Sequence, residues 1–117
     1  MDIIRWGIMG TGRIARTFAE AINGTDGCEI YAVASRSAAK AEDFATKYGA
    51  SKSYSCYEEL VSDKDVDVVY IATPTSCHYE NSMMCLKHEK AVLCEKPVSE
   101  NKELSEKLNK ISKYSKQ

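Results

Sequence analysis

Between Gly7 and Ala15 the chain reads Gly-Ile-Met-Gly-Thr-Gly-Arg-Ile-Ala, which contains a G-x-G-x-x-A run. Its chemistry would be anion binding. Gly10 permits a tight turn, Gly12 lets backbone amides approach a pyrophosphate, and Ala15 allows a helix to pack closely on a strand. The N–H groups and positive dipole end of that helix then face the anion. The competing reading is a glycine turn with no ligand. An apolar stretch before the motif and helical spacing after it favour a dinucleotide.

Ser35-Arg36-Ser37 lies 23 residues beyond Gly12, where an NAD-specific site would carry Asp or Glu for the adenosine ribose hydroxyls. No acid stands there. Arg36 can instead pair with a 2′-phosphate and stack on adenine, Ser35 and Ser37 can donate hydroxyl hydrogen bonds, and Lys40 adds a charge. This favours NADP(H), with NAD(H) still open. A solvated arginine at a helix start is the bland alternative.

Two further segments carry reactive groups. Thr73-Pro74-Thr75 ends an apolar run and His78 follows it; a loop there would face the nicotinamide, although a histidine in a first helical turn can equally be a solvated one. Cys94-Glu95-Lys96-Pro97 places a Glu-Lys pair after another apolar run. A desolvated lysine donates to a substrate oxygen or moves a proton, whereas an exposed pair merely caps a strand. Pro97 would stiffen the turn that aims it. His88 reads as a dipole partner at a helix C-terminus, and the spacing of Cys77, His78, Cys85 and His88 offers no compact metal set.

The elements that must position these groups follow from periodicity. Strands are expected at 3–9, 29–35, 52–55, 66–72 and 91–94. Helices are expected at about 14–22, from Ser37 as N-cap to Gly49 as the closing glycine, at 57–61, at 76–88 and from Glu100 onward. Strand and helix thus alternate, which predicts an α/β doubly wound parallel sheet in the order 3-2-1-4-5. Its crevice lies at the carboxyl ends of the first and fourth strands.

A chain of 117 residues is expected to form one domain over 1–117. Sixteen basic against seventeen acidic residues exclude a broad basic face for nucleic acid. No apolar run is long enough for a membrane span or a secretory leader, and Asn23-Gly24-Thr25 reads as a turn rather than a glycosylation site. Five cysteines without a C-x-x-C pair suit a reducing, cytoplasmic setting.

Arg5 to Ala15, Ala34-Ser35-Arg36, Ala72-Thr73-Pro74-Thr75 with His78-Tyr79-Glu80, and Cys94-Glu95-Lys96-Pro97-Val98, in this order, resemble the Gfo/Idh/MocA (glucose-fructose oxidoreductase/inositol dehydrogenase) family. The dihydrodiol dehydrogenase branch is the most similar in wording. The resemblance implies a Rossmann domain in which Gly10, Thr11, Gly12, Arg13 and Ile14 hold the pyrophosphate. Ser35, Arg36 and Lys40 would meet the ribose and 2′-phosphate, and Thr73, Pro74, Thr75 and His78 would line the nicotinamide ribose. Glu95 would contact the cofactor beside Lys96, the catalytic lysine that polarises or protonates substrate oxygen.

In that family a C-terminal domain binds substrate and mediates oligomerisation, and supplies a second catalytic residue, usually His. None of these 117 residues corresponds to it. The expectation is therefore the cofactor half of an oxidoreductase acting on a sugar-like or cyclic-diol carbon, binding dinucleotide without turnover by itself. The alternatives are a non-catalytic, redox-sensing module, and a ligand-free domain whose open sheet edge pairs with a second copy as a homo-oligomer.

Overall fold

The computed structural model describes residues 3–94. β1 (Ile4–Met9) runs into α1 (Arg13–Asn23), then β2 (Cys28–Ala34), α2 (Ala38–Tyr48), β3 (Lys52–Tyr54) and α3 (Tyr57–Ser62). β4 (Val68–Ile71), a single 3-10 turn at Thr75–Cys77, α4 (His78–Lys87) and β5 (Ala91–Cys94) complete the described chain. The strands pair in parallel in the order β3-β2-β1-β4-β5, as the alternation predicts. The helix expected from Glu100, and Glu95, Lys96 and Pro97, lie outside the described residues.

Both faces of the sheet are covered, so period-two alternation sorts side chains between two cores rather than between core and water. Trp6, Ile8, Val33, Val68 and Tyr70 face α1 and α2, where Phe18, Ile22, Phe44 and Tyr48 meet them. Met9, Ala32, Ala34, Val69 and Ile71 face Leu60, Val61 and Cys85 of α3 and α4. Gly7 falls on this second face, and a Cβ there would lie 3.0 Å from Val66 Cγ1 and 3.1 Å from Leu60 Cδ1. The glycine that interrupts the apolar run of β1 thus lets α3 pack closely on the sheet.

Phe18 anchors the first core. Its ring stacks on Tyr70 with centroids 3.7 Å apart and planes within 1°, and Trp6 meets it edge-on at 5.0 Å. The contact fixes α1 against β1 and β4, and hence fixes where the N-terminus of α1 points.

Local chemistry sets the ends of the elements. Ser37 caps α2 through its hydroxyl, which accepts from the Lys40 amide at 3.3 Å, and Gly49 closes the helix with φ +80°, both as expected. The Asn23-Gly24-Thr25 turn also forms, with the Gly24 and Thr25 amides bonded back to Ala21 and Ile22.

Two boundaries differ from expectation by two residues, the others by one at most. β4 starts at Val68, not Val66, because the Asp67 carboxylate accepts the Arg5 amide at 2.9 Å while the Asp67 amide donates to the Arg5 carbonyl. A side chain there takes a ladder position. The helix expected from 76 begins as a 3-10 turn, since the Cys77 amide donates to the Pro74 carbonyl at 2.8 Å, and becomes α-helical only at His78.

The ends of α3 and β5 are pinned away from the crevice. Lys90 is buried and its Nζ donates to the carbonyls of Asp63 and Val66 at 2.7 and 2.6 Å. Burial works to raise the pKa of Asp63, but the Tyr54 hydroxyl, the Asp65 amide and the charges of Lys52 and Lys90 outweigh it and hold it below the usual value. Burial, with the bond to Asp63, pushes the Tyr54 phenol up.

Candidate functional site

The carboxyl ends of β2, β1 and β4 are stitched side by side at the glycine turn. Met9 is in register with Ala34 on one side and Ile71 on the other. Beyond the ladder, the Gly10 amide donates to the Ala34 carbonyl at 2.8 Å and the Ala72 amide to the Met9 carbonyl at 2.9 Å. Winding reverses here, because α1 leaves β1 over one face of the sheet while α4 leaves β4 over the other, and a crevice opens where they diverge.

Gly10 has φ +98°, and a Cβ on it would sit 3.1 Å from the Ala72 carbonyl oxygen. A side chain is thus disfavoured by both torsion and space. Gly12 is different. It is the N-cap of α1 with φ −82° and ψ −164°, and a Cβ there would meet nothing within 4 Å. Its missing side chain leaves open space above the helix, not room in the fold.

No side chain caps α1, and its first turn holds no acid. Among the described residues, no backbone carbonyl accepts from the amides of Thr11 to Ala15; the Arg16 amide makes the first bond, to Gly12, at 3.1 Å. Donors converging on empty space at a helix N-terminus fit a pyrophosphate. The residues present therefore fit a dinucleotide. Arg13 and Ile14 are exposed beside this end, where the sequence places them.

Beside the turn, a cleft of about 470 Å3 between α1 and α2 is lined by Thr11, Gly12, Arg16, Lys40, Asp43, Phe44, Lys47 and Tyr48. Of the residues expected to bind cofactor, it brings together Thr11, Gly12 and Lys40; Ser35 and Arg36 are not in its lining. Ser35 is buried, and its Oγ accepts from the Ser37 amide at 3.2 Å. Each serine hydroxyl thus shapes the loop as an acceptor and keeps its proton to donate. Arg36 is exposed at the loop tip and has no ion pair among the described residues.

Across the crevice, Thr73 is buried and donates through Oγ1 to Asn81 Oδ1. His78 Nε2 lies 2.7 Å from the Thr73 carbonyl oxygen. A carbonyl only accepts, so Nε2 carries the proton. Two side chains of α4 thereby hold one residue of the β4–α4 loop, and Gly10 abuts the peptide that precedes it, a Cβ there lying 3.4 Å from the Thr73 amide nitrogen. His78 thus positions Thr73 as well as standing beside the crevice. Pro74 is exposed, and Thr75 contributes its backbone to the 3-10 turn.

His88 caps the end of α4 through a bond between Nδ1 and the Met84 carbonyl at 3.0 Å, in keeping with a structural role. Burial pushes the Cys85 thiol up to about 12, against the nearby charge of Lys90, so it is a core side chain at neutral pH. Among the described residues no group of three or more His, Cys, Asp and Glu is placed to hold a metal ion.

Asn81 and Arg16 were not marked as site residues by sequence. Asn81 shares the inward face of α4 with Cys85, a polar side chain where helical spacing calls for an apolar one. Arg16 follows Gly12 by four residues, one helical turn, which places both on one side of α1.

A doubly wound parallel sheet with an open glycine turn over an uncapped helix at its switch point is the architecture of a dinucleotide-binding Rossmann domain. Residues 4–116 match the model of the Gfo/Idh/MocA oxidoreductase family, NAD-binding Rossmann fold, and the chain belongs to that family. Relatives include the D-xylose 1-dehydrogenase (NADP(+)) of Hypocrea jecorina, 43% identical over 97% of this chain and 32% of that protein. Mouse trans-1,2-dihydrobenzene-1,2-diol dehydrogenase is 43% identical over 84% of this chain and 30% of its own length.

Among solved structures, a 3-ketoreductase of Actinomadura kijaniata in complex with NADP and TDP-benzene superposes with TM-score 0.79 at 30% identity, over 97% of this chain and 35% of that one. The chain spans about a third of the length of the curated relatives it matches. No helix among the described residues is long and apolar enough to cross a membrane.

Proposed function

We propose that this chain is the NADP(H)-binding part of a dehydrogenase or reductase that acts on a CH–OH carbon of a sugar-like or cyclic-diol substrate. The observation that carries the cofactor preference is the β2–α2 loop. It presents Arg36 to solvent between two serines whose hydroxyl oxygens are already engaged by backbone amides, and it holds no carboxylate for a 2′-hydroxyl. The NADP(+) dependence named for the Hypocrea jecorina enzyme and for the scyllo-inositol 2-dehydrogenase IolU of Bacillus subtilis supports the same choice.

When bound, the dinucleotide gives or takes a hydride at its nicotinamide. The residues of this chain do the rest. The amides from Thr11 to Ala15 take the pyrophosphate, Ser35, Arg36 and Lys40 the adenosine end, and Thr73, held by Asn81 and His78, the nicotinamide side with Pro74 and Thr75. Glu95 is assigned to the cofactor and Lys96, two residues past the end of β5, to the substrate oxygen, where an ammonium donates to a developing alkoxide or returns its proton. A substrate-holding part beyond these residues is needed for turnover, since the reacting carbon must be held within about 3–3.5 Å of the nicotinamide. Unpaired Cys28, Cys56, Cys77 and Cys85 suit a reducing compartment such as the cytoplasm.

Titration with NADPH and NADH, followed by nicotinamide fluorescence, tests the preference. NADPH should bind more tightly, and Arg36→Ala should weaken NADPH by about tenfold or more, the worth of a charge-assisted hydrogen bond, and NADH by less, through the lost stacking on adenine alone. Equal affinity for the two cofactors in the wild-type chain would overturn the assignment.

A further inference from the structure

We infer that Arg16 is a specificity-determining residue for the 2′-phosphate, acting from α1 opposite Lys40 on α2; the inference rests on the NADP(H) reading above. The cleft between the two helices is lined by the cations Arg16, Lys40 and Lys47 and by a single carboxylate, Asp43. Neither Arg16 nor Lys40 forms an ion pair among the described residues. Lys47 is held at the far end, its Nζ 5.5 Å from the centroid of the Tyr48 ring, and lies seven residues beyond Lys40, about 10 Å along the helix. The end nearest the glycine turn therefore holds Thr11, Gly12, Arg16 and Lys40, where Asp43, three residues past Lys40, is the one lining carboxylate and pairs with neither cation among the described residues.

The position of Arg16 strengthens the case. Arg13 and Arg16 stand at the start of α1, which has no acidic residue in its first turn, so positive side chains sit at the positive end of the helix dipole. That arrangement is unfavourable until an anion arrives. The pyrophosphate would satisfy the amides of the turn, and a second anion would meet the cations at the mouth of the cleft. NADP(H) carries one and NAD(H) does not. Arg16 has the fork of donors that a phosphate monoester takes in pairs.

Calorimetric titration with the adenosine halves alone, 2′,5′-ADP and 5′-ADP, reads this out without turnover. Wild-type chain should prefer 2′,5′-ADP. Arg16→Ala should weaken 2′,5′-ADP by about tenfold and leave 5′-ADP unchanged, and Arg16→Lys should recover part of the loss. Because Arg16 is exposed, unchanged Trp6 fluorescence serves as the check on folding. If Arg16→Ala keeps the wild-type preference while Arg36→Ala abolishes it, the inference about Arg16 is overturned and the NADP(H) reading stands. If wild-type chain shows no preference between the two nucleotides, both fail.

Discussion

Gly12→Val is expected to weaken dinucleotide binding by at least about 100-fold, the worth of two backbone hydrogen bonds to a charged phosphate, with little change in stability. The asymmetry follows from geometry. Gly12 has torsions that any residue adopts, and the direction of its missing Cβ is open for 4 Å, so valine enters no packed region. What it enters is the space over the uncapped amides of α1. A glycine N-cap replaced by an apolar residue costs the fold about 1 kcal/mol at most. The measurement is a pair: NADPH titration and urea unfolding on the same variant. Binding lost with an unchanged unfolding midpoint would identify this turn as the anion cradle, whereas wild-type affinity would place the ligand elsewhere.

Phe18→Ala carries the largest stability prediction, a loss of about 3–5 kcal/mol. Its ring is stacked on Tyr70, meets Trp6 edge-on and is 2% exposed. A cavity there loosens α1 from both β1 and β4. A domain of this size has a total stability of only about 5–15 kcal/mol, so the variant would be marginal. Urea unfolding followed by Trp6 emission would measure it; a loss below about 1 kcal/mol would mean that the aromatic cluster does not hold α1 in place. Affinity for dinucleotide should fall together with stability, which separates this variant from Gly12→Val, where binding is lost at an unchanged unfolding midpoint.

The two variants mark how much of the molecule sequence alone makes legible. Strand order follows from alternation and from the rule of right-handed crossovers, and the place of the crevice follows from strand order. Helix ends set by local chemistry, such as the Ser37 cap and the Gly49 turn, are legible for the same reason: donor and acceptor lie within a few residues. Boundaries set by distant partners are not. Asp67 shortens β4 by bonding to Arg5, 62 positions away, and only the paired strands bring them together.

The candidate site divides along the same line. Gly10, Gly12, Ser35 and Arg36 can be marked as candidates from sequence because each would act through backbone geometry or charge at a strand end. The bond from Thr73 to Asn81 links a loop to the inner face of the next helix, and the cleft holding Arg16 and Lys40 exists only once α1 packs beside α2. Helical spacing assigns Phe44 and Tyr48 to the core of α2 but gives no sign that they also line that cleft. Neither feature has a local sequence signal.

Residues of this chain alone are expected to form a dinucleotide site. Titrating the wild-type chain with NADPH, read by the enhancement and blue shift of nicotinamide emission, tests it most directly. The structure predicts saturable binding at one site per chain, displaced by NADP(+). A chain that is folded by its Trp6 emission yet gives no saturable signal and no displacement would contradict the account.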